Sequence, residues 1–224
     1  MMTAMIHKAL IAALILLLSG CSSIERNVKL DTRLPHPPAV KKIPLHMGVY
    51  YSPEFLGYTG RKQLIMCGPS GRRDPSGVDF LFPVGTASVD LFGQIVQSMF
   101  TEITGTAGPL NNTSSVDALL EPQIEFFDWD MVCSKDYLST GIISAKVRYV
   151  IHLYDGPDRR LVASLPVEGR SSEKPELCFK ECRDSLAVEQ AIQDAMARFM
   201  IEFHEQPEVK RWLSARTTMT GNQR

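Results

Sequence analysis

The 224-residue sequence lacks any apolar run of bilayer-spanning length. Ala9 to Leu18 is unbroken but holds ten residues, where a membrane-crossing helix needs about 20. A bias toward one sign of charge is also missing. Twenty-four Lys and Arg oppose 25 Asp and Glu, giving a formal net charge of −1 with no polybasic run. Without a broad basic field, nucleic acid is not an expected partner. Histidine is scarce at five residues, His7, His36, His46, His152 and His204. None has a Cys, an Asp or a second His at metal-ligand spacing, so no metal and no cofactor are expected. Catalytic signatures are absent too: there is no G-x-S-x-G elbow and no G-x-x-x-x-G-K-[ST] phosphate loop. Ser171 and Lys174 have S-x-x-K spacing, but Pro175 follows and denies the helix that would bring amine beside hydroxyl.

What is present begins at the N-terminus. Lys8 gives a positive start, the apolar run follows, and the small residues Ser19 and Gly20 close it before Cys21. That is the layout of a secretory signal peptide. Leu18-Ser19-Gly20-Cys21 resembles the lipobox of bacterial lipoproteins, in which cleavage precedes the cysteine and the thiol receives diacylglycerol. The resemblance implies a signal peptide over 1–20, a lipidated N-terminus at Cys21, and palmitate-type acyl chains in place of a transmembrane helix. Ser22 rather than aspartate follows the cysteine, which in the enterobacterial pattern implies the outer membrane, with the body facing the periplasm. Two or three acyl chains suffice for stable anchoring, whereas one holds only marginally.

With Cys21 set aside, Cys67, Cys133, Cys178 and Cys182 remain. An even number in an exported chain reads as disulfides, because the periplasm is oxidising. Three pairings are open, and each bridge adds about 2–4 kcal/mol by restricting the unfolded chain. A four-thiolate zinc site is the alternative, but the paired C-x₂-C knuckles are absent.

Hydrophobic content of 44% and charged content of 22% are those of a globular protein, and about 200 residues after the leader suffice for one core. Residues 21–42 are polar with Pro35, Pro37 and Pro38, and read as a tether. Residues 43–215 read as a single α+β periplasmic domain, and 216–224 as a polar tail. The segment 43–51 alternates as a first strand. Residues 57–77, rich in Gly, Pro and Arg, read as a long surface loop pinned by Cys67. Phe92, Ile95, Val96, Met99, Phe100 and Ile103 make one helical stripe, capped by Thr86 or Ser88 and ended by Gly105.

Three strands are expected next, within 117–132, 141–156 and 159–170. Pro122 suggests an edge or a bulge in the first of them. Residues 184–206 form a second helix, and Pro207 opens a short third whose Trp212 packs back on the domain. The order β-α-β-β-β-α fits a predominantly antiparallel sheet of about four strands with two helices on one face. The opposite face, carrying Lys146, Arg148 and His152, is left wet or for a partner.

That element order, with the lipid anchor, resembles the small lipoproteins that assist envelope transport and assembly. Lipopolysaccharide-assembly lipoproteins and auxiliary lipoproteins of lipid-transport ABC systems are examples. The likeness implies a non-enzymatic adaptor or accessory subunit that binds the membrane through its lipid and takes a protein partner or a lipid or polysaccharide substrate. Tyr58, Arg61, Arg72, Arg73 and Arg148 are the partner-binding candidates, by their aromatic and cationic composition. The rival reading is a periplasmic hydrolase or lyase using Asp128 and Asp130, two carboxylates on one strand face.

Overall fold

The computed structural model describes residues 24–33, 40–68, 71–106, 116–133, 142–156, 159–173 and 185–221. The lipobox with Cys21, the three tether prolines, His36, Lys174, Cys178 and Cys182 lie outside the described residues. The chain runs β1 (Ile24–Asn27), β2 (Ile43–Val49), α1 (Pro53–Leu56), β3 (Gly60–Cys67), β4 (Arg73–Phe82), α2 (Val84–Met99), β5 (Phe100–Gly105) and β6 (Ala118–Val132). It continues with β7 (Ile142–Asp155), β8 (Leu161–Glu173), α3 (Leu186–Glu202) and α4 (Pro207–Gly221).

Alternation decides the long strands. In β7, Ile143, Ala145, Val147, Tyr149, Ile151 and Leu153 are buried while their neighbours stay partly exposed. On β8, Ala163, Leu165 and Val167 continue the same face through the β7–β8 ladder. Helices α2 and α3 cover that face with their apolar stripes, and the rings of Phe92 and Phe199 meet between them at 5.4 Å. Gly169 is the reason α3 comes so close to β8. A Cβ there would stand 2.0 Å from the Ala191 carbonyl oxygen.

The α+β class and the placement of two helices on one sheet face are therefore as the sequence implies. The main sheet has five strands in the order β5-β2-β6-β7-β8. Strands β6, β7 and β8 are antiparallel neighbours, and β2 is parallel to both β5 and β6. A second sheet, β1-β4-β3, lays Phe80 and Phe82 against Phe127 and Trp129 of β6 with ring separations of 5.5–5.6 Å.

Several expectations need correction. First, α2 stops at Met99, and Phe100–Gly105 is strand β5 rather than the last turn of the helix. The β-branched Thr101, Ile103 and Thr104 pair beside β2, and Phe100 stays buried by packing on Phe203. Second, 57–77 is not one loop, because Gly60–Cys67 and Arg73–Phe82 form an antiparallel hairpin. Third, part of the supposed tether is β1, paired in parallel with β4 from Ile24↔Val78 to Asn27↔Leu81. Fourth, α4 carries Arg216 into ion pairs with Asp117 and Asp155, so the tail does not begin there. Trp212 is buried as expected. Neither Thr86 nor Ser88 caps α2, which begins behind Pro83. Ser88 instead donates to the Val84 carbonyl at 2.6 Å, and its hydroxyl oxygen is 2.6 Å from that of the buried Tyr149.

Candidate functional site

The sheet face turned away from the helices is built from alternate residues of three neighbouring strands. The ladders align Asp128, Lys146 and Arg170 in one row and Phe126, Arg148 and Glu168 in the next. The β6 register shifts between Ile124 and Phe126, and this bulge turns Phe126 outward while Phe127 stays in the core. The double aromatic step in the sequence is therefore a phase change. Pairing of β2 with β6 ends at Val49↔Leu120, so Pro122 lies where that side of β6 has no ladder partner.

Phe126 is 38% exposed, with Lys146 Nζ 5.6 Å and Arg148 Cζ 5.7 Å from its ring centre. Glu168 joins the cations. It receives Lys146 Nζ at 2.8 Å and Arg170 at 2.6 Å, and Arg148 Nε stands 3.6 Å away. The hydrogen bond from Lys146 holds the Glu168 carboxyl below its ordinary range, with the bond and charge of Arg170 acting the same way. One carboxylate thus serves three cations, leaving this patch with excess positive charge around an exposed ring. An open, shallow depression beside it is lined by Asp128, Ser144, Lys146, Arg170 and Ser172. His152 completes the face, its Nδ1 2.9 Å from the Ser164 hydroxyl.

The other sequence candidates are placed elsewhere. Arg61 binds Asp79 through Nε at 3.0 Å and Nη2 at 2.6 Å, and it also meets Glu25 at 3.1 Å. Arg72 pairs with Asp74 at 2.8 Å near the hairpin end, and Arg73 pairs with Asp130. Tyr58 is half-buried in a small recess with Phe55, Glu121, Gln123 and Ile124, and burial raises its phenol pKa. Tyr51 stacks on the core residue Phe55 at 5.6 Å and meets Phe92 edge-on, so it packs against the core. Of the five partner-binding candidates, only Arg148 belongs to the open face. Phe126, Glu168 and Arg170 were not singled out from the sequence. The signal for them was the outward phase of strands β7 and β8, read across the ladder.

Asp128 and Asp130 are each matched by a cation from the hairpin: Lys62 Nζ is 2.5 Å from Asp128, and Arg73 reaches Asp130. The bridge Cys67–Cys133 lies beside them with its Cα atoms 5.3 Å apart. It is one of the bonds the open pairings allowed, and it ties the hairpin to the end of β6. Among the described residues, no three His, Cys, Asp or Glu side chains gather as a metal site, and no helix is long and apolar enough to cross a membrane.

No family model matches the chain, and no curated protein matches it in sequence. Solved structures are similar to it at TM-scores below 0.5. One is a Xanthomonas campestris protein of the family DUF330, at 14% identity and TM-score 0.42, with 79% of this chain and 91% of the other covered. Another is a candidate lipoprotein from Caulobacter crescentus, at 8% identity and TM-score 0.34, covering 58% and 83%. A third is a candidate neuraminyllactose-binding hemagglutinin homolog from Helicobacter pylori, at 10% identity and TM-score 0.44, covering 86% and 100%. At these scores the likeness decides neither family nor function.

Proposed function

We propose that this chain is a bacterial lipoprotein, held at the outer membrane by acylated Cys21 and facing the periplasm. In this reading it serves as a non-enzymatic adaptor or accessory subunit of an envelope transport or assembly system. The observation that carries the reading is the lipobox behind a ten-residue apolar run. The Cys67–Cys133 bridge supports it, because structural disulfides persist in oxidising compartments. The pairing of Asp128 with Lys62 and of Asp130 with Arg73 supports an adaptor over a hydrolase, since each carboxylate is engaged in holding the hairpin.

The contact surface is the open sheet face around Phe126, Lys146, Arg148 and Arg170. An exposed ring flanked by cations is suited to a protein or to a lipid or polysaccharide substrate. A photo-crosslinking residue at position 126, activated in intact cells, tests this. The expected result is one or a few discrete adducts that disappear when Lys146 and Arg148 become glutamate. Adducts no different from those formed at the exposed Ile201 would remove the face from the proposal.

A further inference from the structure

Only Ser22 and Ser23 separate Ile24 from Cys21, and the three residue steps from Cys21 to Ile24 span at most about 10 Å when fully extended. The domain begins at Ile24 without further slack. β1 is laddered to β4, Val28 donates to the Leu81 carbonyl at 2.9 Å, and the Thr32 hydroxyl donates to the Ala87 carbonyl at 2.7 Å. Because β1 and β4 are parallel, the part of β4 before Val78 extends past the start of β1. The β3–β4 ladder passes from Gln63↔Asp79 to Cys67↔Arg73. At a strand rise of 3.2–3.4 Å per residue, this end of the hairpin overhangs Ile24 by roughly 10–13 Å. The overhang is at least as long as the linker.

The same end collects exposed apolar side chains. Met66 is 56% exposed beside Cys67, and across the disulfide Val132 is 52% exposed and laddered to Ile142 at 37%. These are three of the nine large apolar residues exposed among the described residues. Three ion pairs stand nearby: Lys62 with Asp128, Arg72 with Asp74, and Arg73 with Asp130.

From this geometry we infer that the bridge-bearing end of the domain lies in the interface of the anchoring bilayer. Met66, Val132 and Ile142 are the side chains that enter it. The inference rests on the acylation of Cys21 proposed above, since the linker then allows the hairpin no clearance. The occupant of this rim is a zwitterionic phospholipid surface: apolar contacts supply the binding, and balanced charge gives no preference for anionic lipid. The open face with Phe126 lies on the flank of the sheet and stays free for a partner.

Tryptophan depth measurement tests the inference on the acylated full chain in phosphatidylcholine vesicles with brominated acyl chains. Met66→Trp and Val132→Trp report the rim. Leu161→Trp, exposed at the opposite end of the β7–β8 ladder, reports the far side. The unsubstituted protein supplies the baseline from the buried Trp129 and Trp212. Both rim variants are expected to lose most of their added emission to bromine quenching, at low and high salt alike, while Leu161→Trp keeps its own. Rim emission as unquenched as that at position 161, on protein whose mass shows the acyl group, would overturn the inference and leave the lipoprotein reading standing. Quenching abolished by salt would overturn the apolar contact. A preparation with no acyl group on Cys21 would overturn both.

Discussion

Glu168 shows how one side chain organises the open face. It holds Lys146 and Arg170 within 2.8 Å and keeps Arg148 within 3.6 Å. Its carboxyl is held below the ordinary value of 4.5 in the folded protein, first by the Lys146 hydrogen bond. A carboxyl depressed on folding contributes stability that is fully present above its unfolded pKa and is lost as pH falls through the folded one. Denaturant titrations of the parent and of Glu168→Gln should therefore differ near neutral pH and converge in acid, below pH 4.5. A gap that persisted unchanged into acid would show that the carboxylate's charge is not what holds the cations. Gly169, one residue on, plays a steric part instead, because its missing side chain admits α3.

At the scale of elements, the hairpin β3–β4 is the piece most dependent on long-range ties. Phe80 and Phe82 pack on Phe127 and Trp129, Lys62 and Arg73 reach carboxylates on β6, and Cys67 bonds Cys133 across 66 residues. The exposed ion pairs contribute little individually, about 0–1 kcal/mol each. The bridge carries more. Replacing Cys67 and Cys133 together by serine should lower unfolding stability by about 2–4 kcal/mol, read from urea midpoints with the disulfide-intact parent as reference. A loss within error would mean that the aromatic seam alone fixes the hairpin.

The sequence exposed these elements unevenly. Strand β7 was readable because its apolar residues alternate without a break, and α3 because its stripe is continuous. β5 was not, because Phe100 and Ile103 fit both the end of the α2 stripe and an alternating strand; neighbouring β2 settles the choice. The hairpin was hidden by its Gly, Pro and Arg content, which resembles a loop until two such segments pair. The candidate site suffered from the same limit. Arg148 was visible as an outward residue, but Phe126 required the β6 bulge, and its grouping with Glu168 and Arg170 required the register of three strands. Phe55 belongs to the core and Tyr51 packs against it, which composition alone does not reveal.

Viewed as a whole, the molecule has two ends and one open flank. One end carries the disulfide, the hairpin overhang and the apolar rim. At the other, Arg216 on α4 joins Asp117 and Asp155, and Trp212 packs beneath its guanidinium at 5.1 Å. The flank of the main sheet presents Phe126 among its cations.

Location and orientation both follow from one chemical fact about the native N-terminus. Mass spectrometry of the N-terminal fragment, isolated from native membranes without reduction, measures it directly. The account predicts a chain that begins at Cys21 and carries acyl groups on that residue. A chain that begins at Met1 with a free Cys21 thiol would contradict it.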